Sequence, residues 1–237
     1  MKPAVFIISA PSGSGKTTLA NRLRAQVPGL LFSVSYTTRP QRGNEQHGRE
    51  YYFVSRQEFE RMLAADEFLE HAEVHGNYYG TPRRFLLEAG QCGQDLLLDI
   101  DVQGEEQIKR KLPEAVAIFV LPPSKRVLER RLLDRSYAEK IKEATIQGRL
   151  AAARREVEKY PNYDYILIND QLDRATEQLK AIVLAERAQR SGGKLSPDEL
   201  KLAASAEECR LANMRKRLQP ILTSFALSAA PSESTAR

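Results

Sequence analysis

The sequence predicts an α/β fold in which a parallel sheet is covered by helices on both faces. Three observations lead to this class. Short, continuously apolar segments recur along the 237 residues, and charged segments with helical spacing separate them. Strands that are apolar along their whole length are typical of parallel sheets, because both faces of such a sheet are buried. A glycine-rich turn also joins the first apolar segment to the first helix, and such a turn suits an anion site.

The apolar segments predict four strands of this sheet, over Val5–Ser9, 95–100, 115–121 and Tyr165–Ile168. Apolar positions three and four residues apart predict the helices, over Lys16–Gln26, 105–111, 124–133, 141–159 and 172–190. Prolines at 28, 113 and 122 mark the ends of three of these elements, because proline interrupts regular hydrogen bonding. Residues 32–90 are mixed, with strands expected over 51–54 and 71–76 and helices over 57–65 and 82–89.

The last segment of the chain, residues 191–237, is predicted to be an extension. Ser191-Gly192-Gly193 reads as a linker. A helix over 196–217 is expected after it, because Ser196 and Glu199 form a capping box around Pro197. The small, polar residues from 228 onward are typical of a disordered tail.

Composition and charge exclude several classes of protein. No apolar run approaches the ~20 residues that span a bilayer, so we expect no membrane association. Cys92 and Cys209 are the only cysteines, and we expect a reduced, cytoplasmic protein. The net charge is +5, and residues 124–160, with 11 Lys and Arg against 6 Asp and Glu, carry the same surplus. This local patch favours an anion site over a nucleic-acid groove, although a solvated helix face also explains it.

The glycine-rich turn has the pattern of a phosphate-binding loop, except that alanine replaces the first glycine. The loop comprises Ala10, Pro11, Ser12, Gly13, Ser14, Gly15, Lys16, Thr17 and Thr18. Backbone N–H groups of such a loop point at one anion, where the helix dipole also favours negative charge. Lys16 is placed to reach the β- and γ-phosphates of a bound nucleotide, and the Thr17 hydroxyl to bind Mg²⁺. The loop by itself predicts a nucleoside triphosphate site.

Two arginines in the mixed segment, Arg39 and Arg42, suit a second phosphate. Their guanidinium groups are three residues apart, and two such groups bind phosphate oxygens through paired hydrogen bonds. A solvated basic loop is the alternative interpretation.

The segments 33–40, 48–54, 68–81 and 99–104 resemble guanylate kinases, and the resemblance extends over residues 4–185. It implies a P-loop nucleoside monophosphate kinase fold with a parallel-sheet core over 1–33 and 91–190. It also implies a GMP-binding subdomain inserted at 34–90 and a helical lid at about 131–155. The implied reaction transfers the γ-phosphoryl group of ATP to GMP with Mg²⁺. The GMP-binding residues implied for phosphate are Arg39, Arg42, Tyr51 and Tyr79, and those for guanine are Ser35, Glu70, Thr81 and Asp101.

Hydrogen-bond chemistry agrees with the role of Glu70. Guanine offers two adjacent donors, N1–H and the 2-amino group, and a carboxylate accepts both. Adenine has an acceptor at N1, so it would leave a buried carboxylate without partners. Asp99 and Asp101 lie two residues apart at the end of an apolar strand, where ligands bind in open α/β sheets. We expect Asp99 to hold Mg²⁺ through water, or alternatively to orient the loop.

The resemblance also implies three lid arginines, Arg131, Arg135 and Arg149, which with Lys16 and Arg39 make the catalytic set. Family members commonly have glycine after the second of them, whereas this chain has Ser136, and the stretch before Arg149 is longer than usual. The register of Arg149 therefore stays open. Asn169 and Asp170 match the family motif near adenine, and they would also suit a helix cap.

Other functions fit the sequence less well than that of a guanylate kinase. A P-loop kinase for a sugar phosphate would not need the guanine-reading set, and a guanylate-kinase-like binding module would not need an intact phosphate loop. A nucleic-acid binder is disfavoured because the basic surplus is local. The apolar stripe and the basic residues Arg215–Arg217 of the extension fit packing on the core or on a partner subunit, so a homo-oligomer stays open.

Overall fold

The computed structural model describes residues 2–74, 76–139, 143–192 and 194–228, without the side chains of 135–139 and 143–146. Within these ranges the strands are β1 (Val5–Ser9), β2 (Leu30–Phe32), β3 (Tyr36–Thr37), β4 (Tyr52–Phe53), β5 (Phe68–Val74), β6 (Asn77–Pro82), β7 (Asp95–Asp99), β8 (Val116–Leu121) and β9 (Tyr165–Ile168). The α-helices are α1 (Lys16–Gln26), α2 (Arg56–Ala64), α3 (Arg84–Cys92), α4 (Val102–Lys111), α5 (Lys125–Glu139), α6 (Glu143–Val157), α7 (Leu172–Ser191), α8 (Pro197–Glu207) and α9 (Arg215–Ser224).

Residue contacts divide the chain into two compact units. The first unit consists of residues 2–9 and 27–116, and the second consists of residues 10–26 and the described residues from 117 onward. The predicted insert, 34–90, falls within the first unit, and the predicted extension falls within the second.

The first unit contains parallel strands and a smaller second sheet. Strand β7 pairs in parallel with both β1 and β2, with Leu97 opposite Phe6 and Phe32. The side chains of Ile7, Leu96 and Ile108 are fully buried beside it. The parallel strands that the continuous apolar segments predict are confirmed, as is the α/β class.

The smaller sheet has the strand order β4-β3-β6-β5 and lies within the predicted insert. Strands β5 and β6 are antiparallel, with a register shift between Phe68 and Glu70 that indicates a β-bulge. Phe59 of α2 stacks on Phe68 and on Tyr78, with ring centroids 4.6 and 5.3 Å apart. Ser55 caps α2 by accepting the N–H of Glu58. A separate apolar cluster therefore supports this sheet.

The second unit carries the phosphate loop, helix α1 and the parallel pair β8 and β9, in which Phe119 lies opposite Ile166. Leu128 and Leu132 of α5 and Leu179 and Ile182 of α7 are fully buried in this unit. The helices predicted over 124–133 and 141–159 correspond to α5 and α6, with α5 longer than expected.

The extension differs from the single helix predicted over 196–217. The capping box of Ser196 and Glu199 opens α8 as expected, but this helix ends at Glu207. The chain then leaves the helix and pairs with β9: the N–H of Ile166 donates to the carbonyl of Cys209 at 2.8 Å, and the N–H of Leu211 donates to that of Asp164 at 3.1 Å. The hydrogen-bonding groups of β9 outweigh the helical periodicity here. Helix α9 follows, and residues from 229 onward lie outside the description.

Arg210 stabilises the pairing between the extension and β9. Its guanidinium carbon lies 4.5 Å from the centre of the Tyr165 ring, and it pairs with Glu186 at 3.2 Å and with Glu207 at 3.3 Å. Cys209 is buried, and that burial raises the pKa of its thiol to about 11. The extension thus packs on the second unit of its own chain.

Candidate active site

The phosphate loop has the backbone geometry that anion binding requires. Gly13 and Gly15 have φ angles of +90° and +89°, which only glycine adopts without strain. The N–H of Ser14 donates to the carbonyl of Pro11 at 3.0 Å and tightens the turn. Helix α1 begins at Lys16 with no acidic residue in its first turn, so nothing in that turn opposes an anion there. Lys16 is half-buried, and Thr17 and Thr18 are exposed.

Asn169, which follows β9, braces this loop. Its side-chain amide donates to the carbonyl of Ser14 at 2.8 Å, and the side chain is 5% exposed. A Cβ at Gly15 would lie only 2.4 Å from that amide nitrogen, so glycine is needed there for a second reason. The sequence places Asn169 near adenine, but its amide is engaged by the loop. Asp170 is exposed and accepts the N–H of Gln171.

Helix α5 also packs on the loop. Arg131 donates to the carbonyl of Asn169 at 3.0 Å and to that of Ser14 at 3.5 Å. A Cβ at Gly13 would meet Leu132 at 3.0 Å. Arg131 is half-buried, and desolvation lowers the pKa of its guanidinium below the usual value. Both of these partners are backbone carbonyls, whereas a salt-bridged arginine on a solvent face would pair with carboxylates.

The other two arginines of the predicted lid are less completely described. Arg149 lies on α6 with 8% of its surface exposed. Arg135 lies on α5, and its side chain is outside the description. Their approach to a phosphate stays a prediction.

Two of the predicted acceptor residues face each other on the smaller sheet. Glu70 of β5 and Thr81 of β6 are register partners, and the Thr81 hydroxyl donates to a carboxylate oxygen of Glu70. Glu70 is 4% exposed and Thr81 is fully buried. A Cβ at Gly104 of α4 would lie 2.6 Å from the other carboxylate oxygen, so α4 packs closely against Glu70. The bulge in β5 aligns Glu70 with Thr81, as bulges commonly redirect side chains near active sites.

Three of the four predicted phosphate residues, Arg39, Tyr51 and Tyr79, are in contact with each other. Arg39 is 6% exposed, and its guanidinium carbon lies 5.3 Å from the centre of the Tyr51 ring. The Tyr51 ring meets that of Tyr79 edge-on at 5.8 Å. Arg39 forms two hydrogen bonds with Glu45, at 3.0 and 2.9 Å, whereas Arg42 is exposed. The sequence analysis does not predict a role for Glu45. The one sequence feature that points to it is its position three residues after Arg42, which favours a local ion pair.

The remaining acceptor candidates occupy strand ends. Ser35 is 9% exposed and precedes β3. Asp99 ends β7 and is half-buried. Asp101 caps α4, because its carboxylate accepts the N–H of Gly104 at 2.8 Å. The structure therefore assigns Asp101 a local structural contact that its spacing from Asp99 did not predict.

Oxygen donors suited to Mg²⁺ are present at Thr17 and Asp99. Among the residues that the structure describes, no group of three or more His, Cys, Asp or Glu side chains is arranged to hold a metal ion. Mg²⁺ usually binds few protein ligands and keeps water and substrate phosphates. The hydroxyl of Thr17 and the carboxylate of Asp99 are each of a kind that suits a nucleotide-associated Mg²⁺.

These features define a class. A glycine-rich loop at a helix N-terminus, in an α/β fold whose other unit carries a buried arginine and a buried carboxylate, is typical of a phosphate-loop enzyme acting on nucleotides.

None of the helices in the described ranges is long and apolar enough to span a membrane.

Comparison with known proteins identifies the family. The guanylate kinase family model matches residues 2–186. A guanylate kinase of Koribacter versatilis (strain Ellin345) is 55% identical over 225 residues, covering 95% of this chain and 97% of the relative. One of Symbiobacterium thermophilum is 44% identical over 209 residues, covering 87% and 98%. The crystal structure of guanylate kinase from Anaplasma phagocytophilum matches with a TM-score of 0.65 and 34% identity, covering 79% and 86%.

The chain belongs to the guanylate kinase family, and it is a kinase of the P-loop fold. The resemblance noted from the sequence is confirmed. The family model ends at residue 186, but the 225-residue alignment with the Koribacter relative must include much of the extension as well.

Proposed function

We propose that this chain transfers the γ-phosphoryl group of ATP to GMP, giving ADP and GDP. The observation that carries the choice of acceptor is the buried Glu70–Thr81 pair. Thr81 donates to one carboxylate oxygen of Glu70, and the carboxylate has further acceptor positions that match the N1–H and 2-amino donors of guanine. A sugar phosphate would offer no such paired planar donors.

On the donor side, the phosphate loop binds the β- and γ-phosphates of ATP. The backbone N–H groups from Gly15 to Thr18 and the ammonium group of Lys16 neutralise negative charge there. Asn169 and Arg131 hold the loop in this conformation through the carbonyl of Ser14. We assign contact with the adenine to Asp170 and the chain around it.

Mg²⁺ would be held by the Thr17 hydroxyl and, through water, by Asp99. When bound, it neutralises charge on the β- and γ-phosphates. Both residues supply the hard oxygen ligands that this ion prefers.

On the acceptor side, Arg39, Arg42, Tyr51 and Tyr79 bind the phosphate of GMP. Ser35, Glu70, Thr81 and Asp101 surround the guanine. A phosphate oxygen of GMP attacks the γ-phosphorus of ATP, and the bond from that phosphorus to the oxygen bridging to the β-phosphate breaks. The leaving group is ADP. Arg131, Arg135 and Arg149 are assigned to the charge that spreads over the transferring group.

A coupled assay of ADP release, with GMP, dGMP, AMP, UMP and ribose phosphates as acceptors, tests this function. We expect turnover with GMP and a kcat/KM for AMP that is lower by ~10⁴, because a site built for donors rejects an acceptor. Turnover with ribose phosphates alone would identify a sugar-phosphate kinase instead. Binding of GMP without turnover under any condition would indicate a binding module. As an enzyme of purine nucleotide metabolism, the chain is assigned to the cytoplasm.

A further inference from the structure

The carboxylate of Glu45 engages the acceptor arginine from one side. Its Oε2 accepts from Nη1 of Arg39 at 3.0 Å, and its Oε1 accepts from Nη2 at 2.9 Å. Nη1 also donates to the carbonyl of Pro40 at 2.7 Å. A guanidinium group has five N–H donors in one plane. Because Glu45 and the Pro40 carbonyl hold Nη1 and Nη2, the opposite edge of the guanidinium group, which contains Nε, faces in one defined direction.

The aromatic rings near Arg39 limit its orientation further. Its guanidinium carbon lies 5.3 Å from the ring centre of Tyr51 and 5.7 Å from that of Phe53. With Glu45 on one edge and rings nearby, the plane of the guanidinium group has little rotational freedom.

Glu45 also organises the backbone at the second arginine. The same Oε2 accepts the N–H of Arg42 at 2.9 Å, and the N–H of Glu45 donates to the carbonyl of Arg42 at 3.0 Å. One carboxylate therefore fixes the side chain of Arg39 and the turn that carries Arg42. Hydrogen bonds of this kind to an ionised group are the stronger class.

The charges of the pair agree with this geometry. Burial alone would raise the pKa of Glu45, but its hydrogen bonds with Arg39 and Arg42 outweigh that effect and lower it. For Arg39, burial would lower the pKa, and the contacts with Glu45, together with a hydrogen bond to Tyr79, raise it instead. Both groups are ionised at neutral pH, so the ion pair is formed before a substrate phosphate arrives.

We infer that Glu45 is a positioning residue that pre-orients Arg39 and Arg42 for the phosphate of the acceptor nucleotide. The inference rests on the proposed function, since it supposes that the acceptor is GMP. Its physical basis is that a fixed guanidinium group need not lose rotational freedom when it binds phosphate.

The test compares Glu45→Gln with Glu50→Gln. Glu50 is a matched control: it lies in the same loop, is also half-buried, and also accepts from an arginine and from a backbone N–H, those of Arg49 and Gln46. Among the described residues, Glu50 has no hydrogen bond or ion pair with Arg39 or Arg42. In Glu45→Gln the new NH₂ group faces an arginine donor, so one hydrogen bond to Arg39 is lost.

We expect Glu45→Gln to raise the KM for GMP by about tenfold to a hundredfold, as for misplacement of a binding group. The KM for ATP and the inhibition constant of guanosine, which lacks the phosphate, should stay within about twofold, because neither depends on the phosphate contact. Glu50→Gln should leave all three constants near those of the wild type. In an Arg39→Ala background, Glu45→Gln should add little, since contacting residues that act together are not additive.

Three results would overturn the inference. The first is a KM for GMP in Glu45→Gln that equals the KM in Glu50→Gln. The second is a fall in the KM for GMP, which would show that Glu45 competes with the phosphate for the arginines. The third is a rise in the inhibition constant of guanosine as large as the rise in the KM for GMP. If Glu45→Gln does not fold, as judged by thermal unfolding, Glu45→Asp provides the second variant, with the same shift expected from its shorter reach. Failure of the wild type to phosphorylate GMP would instead refute the proposed function.

Discussion

The close approach of α4 to Glu70 offers a substitution that separates base recognition from stability. A Cβ at Gly104 would lie 2.6 Å from Oε2 and 2.9 Å from Cδ of Glu70, whereas ordinary contact begins at 3.4 Å. In Gly104→Ala the carboxylate must therefore move by about 0.8 Å. Gly104 lies in a helix and not at a positive φ angle, so the backbone accepts alanine there.

The expected effects have opposite signs. Alanine in place of a helical glycine stabilises a helix by up to ~1 kcal/mol, so the melting temperature should not fall by much. Displacement of a positioned group by nearly 1 Å costs about 10–10²-fold in activity, and we expect that loss in kcat/KM for GMP. The residual rate with AMP, which does not use the paired acceptor, should change little.

Steady-state kinetics with GMP and AMP, together with thermal unfolding, measure these effects. Gly90→Ala is the control, because Gly90 also lies in a helix, α3, and its Cβ would meet Pro3 at an ordinary 3.8 Å. We expect that variant to keep full activity. If Gly104→Ala had the same kcat/KM for GMP as Gly90→Ala, the reasoning about Glu70 would be refuted.

Three further predictions concern the second unit. Lys16→Ala should lose about 10²–10³ in kcat, as when one preorganised charge stabiliser is removed, and equal activity would argue against the loop assignment. Arg131→Ala should lower kcat and kcat/KM together by ~10² with KM nearly unchanged, and a near-normal kcat would limit the role of Arg131 to holding the loop. For Arg149→Ala, a loss in kcat below about threefold would remove Arg149 from the site. Deletion of residues 191–237 should lower the melting temperature, because Ile166 of β9 loses its hydrogen bond to the carbonyl of Cys209 and Asp164 loses the bond it accepts from the N–H of Leu211. The KM for GMP should stay within a few-fold, and a large rise in that KM would place the extension at the acceptor site.

The local sequence was sufficient to predict the phosphate loop. Its glycines, Lys16 and Thr17 are contiguous, and a loop between a buried strand and a helix has few alternative conformations. The bounds of α1 and β1 agree with the prediction to the residue. The short strands β2, β3 and β6 were not predicted, since strands of two or three residues show no periodicity and β6 contains Gly80 and Pro82.

The acceptor residues were predicted individually, but their arrangement was not. The partnership of Glu70 with Thr81 depends on β6 and on the bulge in β5, and neither is visible in the residue pattern. Glu45 was overlooked because an acidic residue in a polar loop is usually solvated, and only the fold places it against a buried arginine.

The sequence by itself determined the α/β class, the phosphate loop and the family, because these depend on contiguous motifs and on the alternation of apolar segments. Tertiary structure alone decided how several side chains are used. The amide of Asn169 holds a carbonyl 155 positions away in the chain, and residues after Glu207 leave a helical pattern to pair with β9. Such contacts join residues that are distant in sequence, so a local pattern of residues cannot predict them. They form because buried hydrogen-bonding groups must find partners, and only strand pairing and helix packing bring those partners within reach.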